Sequence, residues 1–150
     1  MYKSNNADTF SEILIVEDDK IIALLQKRLI EAVMGRKPVL LSNGRLAIEY
    51  LNQSAKKGMK DSLVLLDLNM PIMDGWEFLK HCERKPYLHN VHIIIVTSSL
   101  CQEDHEKAKS IEKILDFYTK PLKKEKLEEI MRIKQLTHFF QSKTILKNHL

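Results

Sequence analysis

The sequence has no apolar run that approaches the roughly 20 residues needed to cross a bilayer. The N-terminal stretch, residues 1–11, is polar and lacks the apolar centre of a signal peptide. These absences argue against a membrane-spanning helix and give no indication of export. We therefore expect a cytoplasmic protein without a membrane partner.

Cysteine is scarce, and the two cysteines, Cys82 and Cys101, lie in unrelated segments. Without an export signal, their thiols are expected to stay reduced. The six histidines are scattered, and no group of cysteines and histidines has the spacing typical of a zinc site. The sequence thus gives no indication of a zinc site.

The chain also lacks a nucleic-acid recognition motif, although its net charge is +4 and its pI is about 9.0. Many of its lysines alternate with glutamates over residues 120–134, a pattern typical of a solvated helix face. Direct nucleic-acid binding is therefore not expected. With 150 residues, of which 44% are hydrophobic, the chain has the size and composition of one globular domain.

Three short apolar runs, at residues 13–16, 63–66 and 93–96, predict strands that are covered on both faces. Two weaker strands are predicted at residues 38–41 and 115–118. Each strand is followed by a helical pattern, and this alternation predicts an α/β domain with helices on both faces of a parallel sheet.

Two helices carry more specific expectations. In the first, Ile21, Leu25, Leu29 and Val33 recur every fourth position and predict one apolar stripe that faces the core. Pro121 precedes the last helical pattern, and proline is favoured at the first position of a helix.

Polar residues follow four of the predicted strands. They are Glu17, Asp18 and Asp19 after the first, Asp67 and Asn69 after the third, Thr97 after the fourth and Lys120 after the fifth. In open α/β sheets, ligands bind beyond the carboxyl ends of the strands. We therefore expect these side chains to form one site.

This set of residue types indicates phosphoryl transfer. Clustered carboxylates repel one another unless a cation intervenes, and oxygen ligands without cysteine or histidine suit Mg²⁺. Asp67 could then attack phosphorus as a nucleophile, since carboxylates form acyl phosphates. Lys120 offers a positive charge, and Thr97 a hydroxyl donor, to the transferred oxygens.

Each residue alone has a simpler interpretation. Asp18 or Asp19 could cap the first helix, Asp67 could begin a turn, and Lys120 could be a surface charge. Thr97 could satisfy backbone groups at a strand end. The functional interpretation rests on all of them falling at successive strand ends.

Four segments carry a resemblance to a known family: ILIVEDD at 13–19, LLDLNMPIMDG at 65–75, IVTSS at 95–99 and FYTKP at 117–121. Over roughly residues 12–133, the chain resembles the receiver domain of two-component response regulators, of the CheY-like, stand-alone type. The resemblance implies a flavodoxin-like, doubly wound, five-stranded parallel sheet with strand order 2-1-3-4-5.

The resemblance also implies roles for individual residues. It implies Asp67 as the phosphoacceptor, and Mg²⁺ as a cofactor bound by Glu17, Asp18, Asp67 and the backbone carbonyl of Asn69. Thr97 and Lys120 match the residues that engage the phosphoryl group, and Phe117 matches the switch aromatic that turns inward with Thr97. Pro71 and Gly75 match the loop that shapes the site.

The expected organisation is a flexible N-terminus at 1–11, a receiver domain at 12–135 and a helix extension or tail at 136–150, with no output domain. The expected phosphodonor is a sensor histidine kinase or a histidine phosphotransfer protein. Phosphorylation would alter the surface of the fourth helix, fifth strand and fifth helix, which would contact an unknown downstream protein or form a homodimer. The chain would catalyse its own phosphorylation and dephosphorylation without being an enzyme for another substrate.

Three alternatives remain. A degenerate receiver would lack an acid or the lysine, and all are present. A phosphatase with an aspartate nucleophile usually carries Asp-x-Asp after its first strand, whereas Asp67 follows the third strand and Asn69 stands two residues later. A basic DNA-binding regulator would show salt-dependent DNA affinity.

Overall fold

A computed structural model describes residues 11–58, 61–85 and 90–140. The strands are β1 Ser11–Val16, β2 Val39–Leu41, β3 Asp61–Leu66, β4 Val91–Thr97 and β5 Ile114–Thr119. The main helices are α1 Lys20–Met34, α2 Gly44–Lys56, α3 Gly75–Cys82, α4 Gln102–Lys109 and α5 Lys124–Met131, followed by a 3-10 turn at Lys134–Leu136. None of the helices in these ranges is long and apolar enough to cross a membrane.

The five strands form one parallel sheet in the order β2-β1-β3-β4-β5, which confirms the predicted flavodoxin-like topology. Val16 at the end of β1 pairs with Leu66 at the end of β3, and Thr97 pairs with Thr119 on β5. Because the strands are parallel, their carboxyl ends lie along one edge, here called the carboxyl edge, and their first residues lie along the opposite amino edge.

Two apolar cores lie on the two faces of the sheet, which explains why the central strands are apolar at consecutive positions. Leu14, Val16, Val64 and Leu66 pack on one face with side chains of α2, α3 and α4. Ile13, Ile15, Leu63 and Leu65 pack on the other face with side chains of α1 and α5. The domain is therefore doubly wound, with helices on both faces.

The predicted apolar stripe of α1 is wrong at its N-terminal end. Ile21 and Leu25 are exposed, by 73% and 60%, while Leu29 and Val33 are only partly buried. The buried positions of α1 are Ala23, Gln26, Ile30 and Met34, whose spacing follows the helical repeat equally well. These four residues form the buried face of α1, and Ile21 and Leu25 lie on its exposed side.

Pro121 does not begin the last helix. The Lys120–Pro121 peptide bond is cis, and α5 starts at Lys124 with Lys123 as its N-cap residue. Pro121 therefore lies in the turn between β5 and α5, beside the carboxyl edge.

The segment after α5 packs into the core formed with α1 and α5. Leu136, Phe139 and Phe140 are all buried there, and the Arg36 guanidinium donates hydrogen bonds to the carbonyl oxygens of Phe139 and Ser11. Ser11, at the end of the predicted N-terminal stretch, already belongs to β1. Residues 1–10 and 141–150, which carry the rest of the two terminal predictions, lie outside the described residues.

We predict that Leu136→Ala lowers the free energy of unfolding by about 3 kcal/mol, because it leaves a cavity among buried apolar side chains. Leu100→Ala is the matched control, since Leu100 is 83% exposed and Leu136 is fully buried. The control should change stability by less than about 0.5 kcal/mol. Urea denaturation measures both, and equal changes would show that residues after α5 do not contribute to the core.

Candidate functional site

Backbone hydrogen bonds hold three of the predicted site residues at the carboxyl edge. The amide of Glu17 donates to Leu41 O at 3.0 Å, and the amide of Asp67 donates to Val16 O at 3.0 Å. The amide of Lys120 donates to Thr97 O at 2.9 Å. Each bond continues the sheet ladder by one residue, so the positions of these side chains follow from strand pairing.

A lysine bridges two buried carboxylates at this edge. The ammonium Nζ of Lys120 pairs with Oε1 of Glu17 and lies 3.1 Å from Oδ2 of Asp67. Glu17 and Asp67 are buried, and the Lys120 side chain is only 12% exposed. Because buried charges are costly unless they are paired, this three-residue contact is the electrostatic centre of the edge.

Asp18 completes an acid cluster, defined here as Glu17, Asp18 and Asp67. One carboxylate oxygen from each lies within 4.8 Å of the other two, and Asp18 is exposed while its neighbours are buried. Three oxygen donors, with one side open to solvent, fit a hard divalent cation such as Mg²⁺, which retains several waters. The donor set of this structure is therefore suited to the metal that the sequence predicts.

Burial raises the pKa of Glu17 to about 7, although its hydrogen bond with Lys120 acts in the opposite direction. Burial by itself lowers the pKa of Lys120, but the hydrogen bond with Glu17 and the charge of Asp67 outweigh it, so the pKa lies above its ordinary value. Lys120 therefore stays charged at neutral pH, whereas the Glu17 carboxyl group titrates close to neutral pH.

Asp19 is the N-cap of α1, which resolves the alternative that Asp18 or Asp19 performs the capping. Its Oδ1 accepts hydrogen bonds from the amides of Ile21 and Ile22 at 2.9 and 3.1 Å. The amide of Asp19 in turn donates to Oε2 of Glu17. Asp18 does not cap the helix. Its carboxylate is therefore available to bind a cation at the carboxyl edge.

The loop between β3 and α3 lies directly against Asp67. A Cβ atom on Gly75 would come within 2.6 Å of the Asp67 carbonyl oxygen, so only glycine permits this approach. Pro71 O accepts a hydrogen bond from the amide of Met73 at 2.8 Å, and Ile72 between them has a φ of 71°. The amide of Asn69 donates to Oδ1 of Asp67 at 3.4 Å. The loop thus orients the Asp67 carboxylate.

Thr97 is fully buried at the end of β4, and its Oγ1 accepts a hydrogen bond from the amide of Ser99 at 3.3 Å. The ring of Phe117, on β5, is partly buried and stacks on His105 of α4 with a centroid separation of 3.8 Å. Tyr118 points to the opposite face of the sheet, where its hydroxyl donates to Asp116. The two predicted switch residues therefore lie on neighbouring strands, and Phe117 contacts α4.

A polar connection between α3 and α4 has no counterpart in the sequence patterns. Asp104 accepts hydrogen bonds from Nε1 of Trp76 at 3.1 Å and from Oγ of Ser99 at 2.8 Å. The ammonium of Lys107 lies over the Trp76 ring, 4.4 Å from its centroid. Because the partners come from three separate segments, no local motif signals this connection.

The fold and the edge together define a doubly wound α/β domain with a Mg²⁺-type acid cluster, a buried lysine and a hydroxyl at the carboxyl ends of its strands. The family described as the response regulator receiver domain matches residues 13–132. The chain belongs to this family, and the relatives that it matches include response regulators of two-component signalling.

Individual relatives agree with this assignment. Response regulator Rcp1 of Synechocystis is 32% identical over 95 residues, which cover 61% of this chain and 65% of Rcp1. The probable methanogenesis regulatory protein FilR2 of Methanothrix harundinacea is 33% identical over 119 residues, covering 77% of this chain and 76% of FilR2. The chain thus spans slightly less than two thirds of Rcp1.

Solved structures show the same fold. A two-component response regulator from Cytophaga hutchinsonii superimposes with a TM-score of 0.72 at 25% identity, covering 80% of this chain and 92% of that one. A receiver domain protein from Methanospirillum hungatei gives a TM-score of 0.63 at 27% identity, with coverages of 87% and 94%.

We predict that Lys120→Met lowers the free energy of unfolding by about 3 kcal/mol without Mg²⁺, because it leaves two buried carboxylates without their partner. Added Mg²⁺ should recover part of this loss, since a divalent cation replaces the missing positive charge. Urea denaturation at pH 8, with and without Mg²⁺, measures both effects.

Lys126→Met is the matched control, because Lys126 forms an exposed ion pair with Glu129 at 3.5 Å. It should change stability by less than about 1 kcal/mol and show no added response to Mg²⁺. A Lys120→Met protein as stable as the control would contradict the interpretation of Lys120 as the counter-charge of the site.

Proposed function

We propose that Asp67 accepts a phosphoryl group from the phosphohistidine of a sensor histidine kinase or a histidine phosphotransfer protein. The observation that carries the proposal is the contact of the buried Asp67 carboxylate with Lys120, beside two further acids. An Asp67 oxygen attacks phosphorus, the phosphorus–nitrogen bond breaks, and the imidazole leaves with the electron pair and takes up a proton. The product is an aspartyl phosphate.

Glu17, Asp18, Asp67 and the backbone carbonyl of Asn69 are the residues that would hold Mg²⁺ in this proposal. When bound, the ion neutralises charge on the phosphoryl oxygens. Lys120 already lies 3.1 Å from Asp67, so its ammonium is placed to pair with the transferred oxygens. The Thr97 hydroxyl can donate to them while its oxygen keeps the hydrogen bond from Ser99.

The proposed output is a change in the α4–β5–α5 surface. Phosphorylation adds nearly two negative charges at Asp67, which favour a conformation with Thr97 and Lys120 drawn toward the phosphate. Phe117 stacks on His105 of α4, so an inward turn of Phe117 would free α4 from this contact. The altered surface would bind a downstream protein or a second copy of the chain.

The chain promotes its own phosphorylation and dephosphorylation in this proposal and has no separate substrate. The phosphatase alternative is disfavoured because Asp67 follows β3, and Asn69 occupies the position where those enzymes carry their second aspartate. The basic net charge is not accompanied by a recognition motif, so DNA binding is also disfavoured.

We predict that acetyl phosphate with Mg²⁺ adds one phosphoryl group to the parent chain and none to Asp67→Asn, because the amide is not a nucleophile of this kind. Intact-mass spectrometry measures the addition, and EDTA should abolish it. Asp116→Asn, which changes an exposed aspartate on β5, is the control and should be phosphorylated normally. Phosphorylation of Asp67→Asn at the parental rate would contradict the proposal.

The phosphodonor would dock in an apolar groove between α1 and the turn after β5. Leu25, Pro121 and Leu122 line this groove, which has a volume of about 400 Å³, and Lys120 lies at its wall. Exposed Ile21 extends the apolar surface. Because Lys120 also contacts Asp67, a helix seated in the groove would bring its phosphohistidine to the acid cluster.

We predict that Leu25→Ala slows phosphotransfer from a phosphorylated histidine phosphotransfer protein by about 10-fold, since it removes an apolar contact worth about 1–2 kcal/mol. Phosphorylation by acetyl phosphate should stay unchanged, because the small donor does not need the groove. Radiolabel transfer to an acceptor chain measures the first rate. Leu100→Ala is the control. If Leu25→Ala slowed phosphorylation equally with the phosphotransfer protein and with acetyl phosphate, the effect of Leu25 would lie in the acid cluster and not in the docking of the donor.

A further inference from the structure

Three side chains meet at the amino edge of the sheet, at the opposite end from the acid cluster. Nε2 of His92 lies 3.3 Å from Oδ1 of Asp61, and Nε2 of His138 lies 3.3 Å from Oδ2 of the same carboxylate. One ligand atom from each residue lies within 4.8 Å of the other two. This set is called the histidine cluster below, and the phosphoryl-transfer site does not use it.

Strand pairing and the segment after α5 bring these residues together. His92 on β4 pairs with Leu63 on β3, and Asp61 lies two residues before Leu63, so both side chains point to the same face. His138 comes from the segment that packs on this face after α5. The buried Phe139 ring contacts both imidazoles, with centroid distances of 5.8 Å to His92 and 4.6 Å to His138.

We propose that Asp61, His92 and His138 bind a divalent transition-metal ion of the zinc class, with water as the remaining ligand. Zinc binds imidazole nitrogen at about 2.0–2.1 Å and carboxylate oxygen at about 2.0–2.2 Å, so tetrahedral ligand atoms lie about 3.4 Å apart. Both nitrogen–oxygen distances in the cluster are 3.3 Å. His92 and His138 approach different oxygens of the Asp61 carboxylate, and each separation is close to the edge length of a zinc tetrahedron.

The chemical types of the three ligands determine which metal ion the histidine cluster prefers. Two imidazoles and one carboxylate suit zinc, cobalt or nickel and disfavour Mg²⁺, which prefers an all-oxygen set. The His138 side chain is 46% exposed, which leaves a route for the ion and a position for water. The chain thus carries two chemically distinct cation sites, one at each edge of the sheet.

The bound ion would join three separate parts of the chain. Asp61 begins β3, His92 lies near the start of β4, and His138 follows the 3-10 turn. A metal held by all three therefore fastens residues 136–140 onto the sheet and adds its binding free energy to the stability of that contact.

Metal titration tests the proposal directly. The metal-free chain, with Cys101→Ser to remove an exposed thiol and excess Mg²⁺ to fill the acid cluster, is titrated with Co²⁺ and then with Zn²⁺. We expect one equivalent of Co²⁺ to give the strong visible absorption of a tetrahedral site, and Zn²⁺ to displace it. Asp67→Asn should bind equally well, which separates this site from the proposed phosphoacceptor.

Asp61→Asn and His138→Gln should each weaken Zn²⁺ binding by at least about 100-fold, because loss of a ligand exceeds the roughly 10- to 100-fold effect of an outer-shell partner. His81→Gln, which changes an exposed histidine on α3, is the control and should bind as the parent does. Half-exposed His138 is suited to substitution without loss of folding, and circular dichroism checks this.

Hydrogen exchange supplies the second readout. Zn²⁺ should slow amide exchange over residues 134–140 in the parent and leave His138→Gln unchanged. A parent chain without the visible Co²⁺ band, or equal binding by His138→Gln and His81→Gln, would overturn the metal site. Binding without slower exchange would overturn the fastening of the C-terminal segment.

Discussion

The contact of one ammonium with two buried carboxylates is the constraint on which the carboxyl edge depends. Glu17, Asp67 and Lys120 come from residues after β1, β3 and β5, so their charges meet only when the sheet is paired. Three carboxyl groups, those of Glu17, Asp18 and Asp67, share this edge with one ammonium, so acidic groups outnumber the basic one. A divalent cation offsets that excess, and this is the electrostatic reason that the cluster suits Mg²⁺.

The same contact connects the site with the rest of the domain. Lys120 is bonded through its backbone amide to Thr97 O, and the Thr97 hydroxyl accepts from Ser99. Ser99 then bonds Asp104 in the first turn of α4. A shift of Thr97 toward a phosphoryl group would therefore reach α4 through two hydrogen bonds. The chain of contacts is a physical route, and double-mutant cycles are the measurement that gives it an energy.

The strand pattern was sufficient to predict a parallel α/β sheet with polar residues at its carboxyl edge, whereas the strand order came from the resemblance to the receiver family. Buried parallel strands are apolar at consecutive positions, so β1, β3 and β4 stand out, and the residues after them must share an edge. The orientation of α1 could not be predicted in the same way, because Ile21 and Leu25 are as apolar as core residues although they face outward. The cap was ambiguous between Asp18 and Asp19 because both are good capping residues, and only backbone geometry selects Asp19.

Contacts between segments that are distant in the sequence could not be predicted from local sequence patterns. Trp76, Ser99 and Asp104 form no motif, and neither do Asp61, His92 and His138, which are spread over three elements. Zinc motifs are recognisable when two ligands lie a few residues apart, as in most zinc fingers. Here strand pairing and the packing of the C-terminal segment replace local spacing, so the scattered histidines gave no signal.

Strand β3 contributes to both proposed cation sites, with Asp61 at its first residue and Asp67 directly after its last. At about 3.3 Å per residue, the two aspartates lie about 20 Å apart along a rigid central strand. A ligand at one edge alters affinity at the other only if it binds two conformations of the domain unequally. An ion in the histidine cluster would contact Asp61, His92 and His138, whereas the proposed switch moves Thr97, Phe117 and α4. Since these sets of residues do not overlap, the metal should stabilise the domain in both states of the switch and leave phosphorylation at Asp67 largely unchanged.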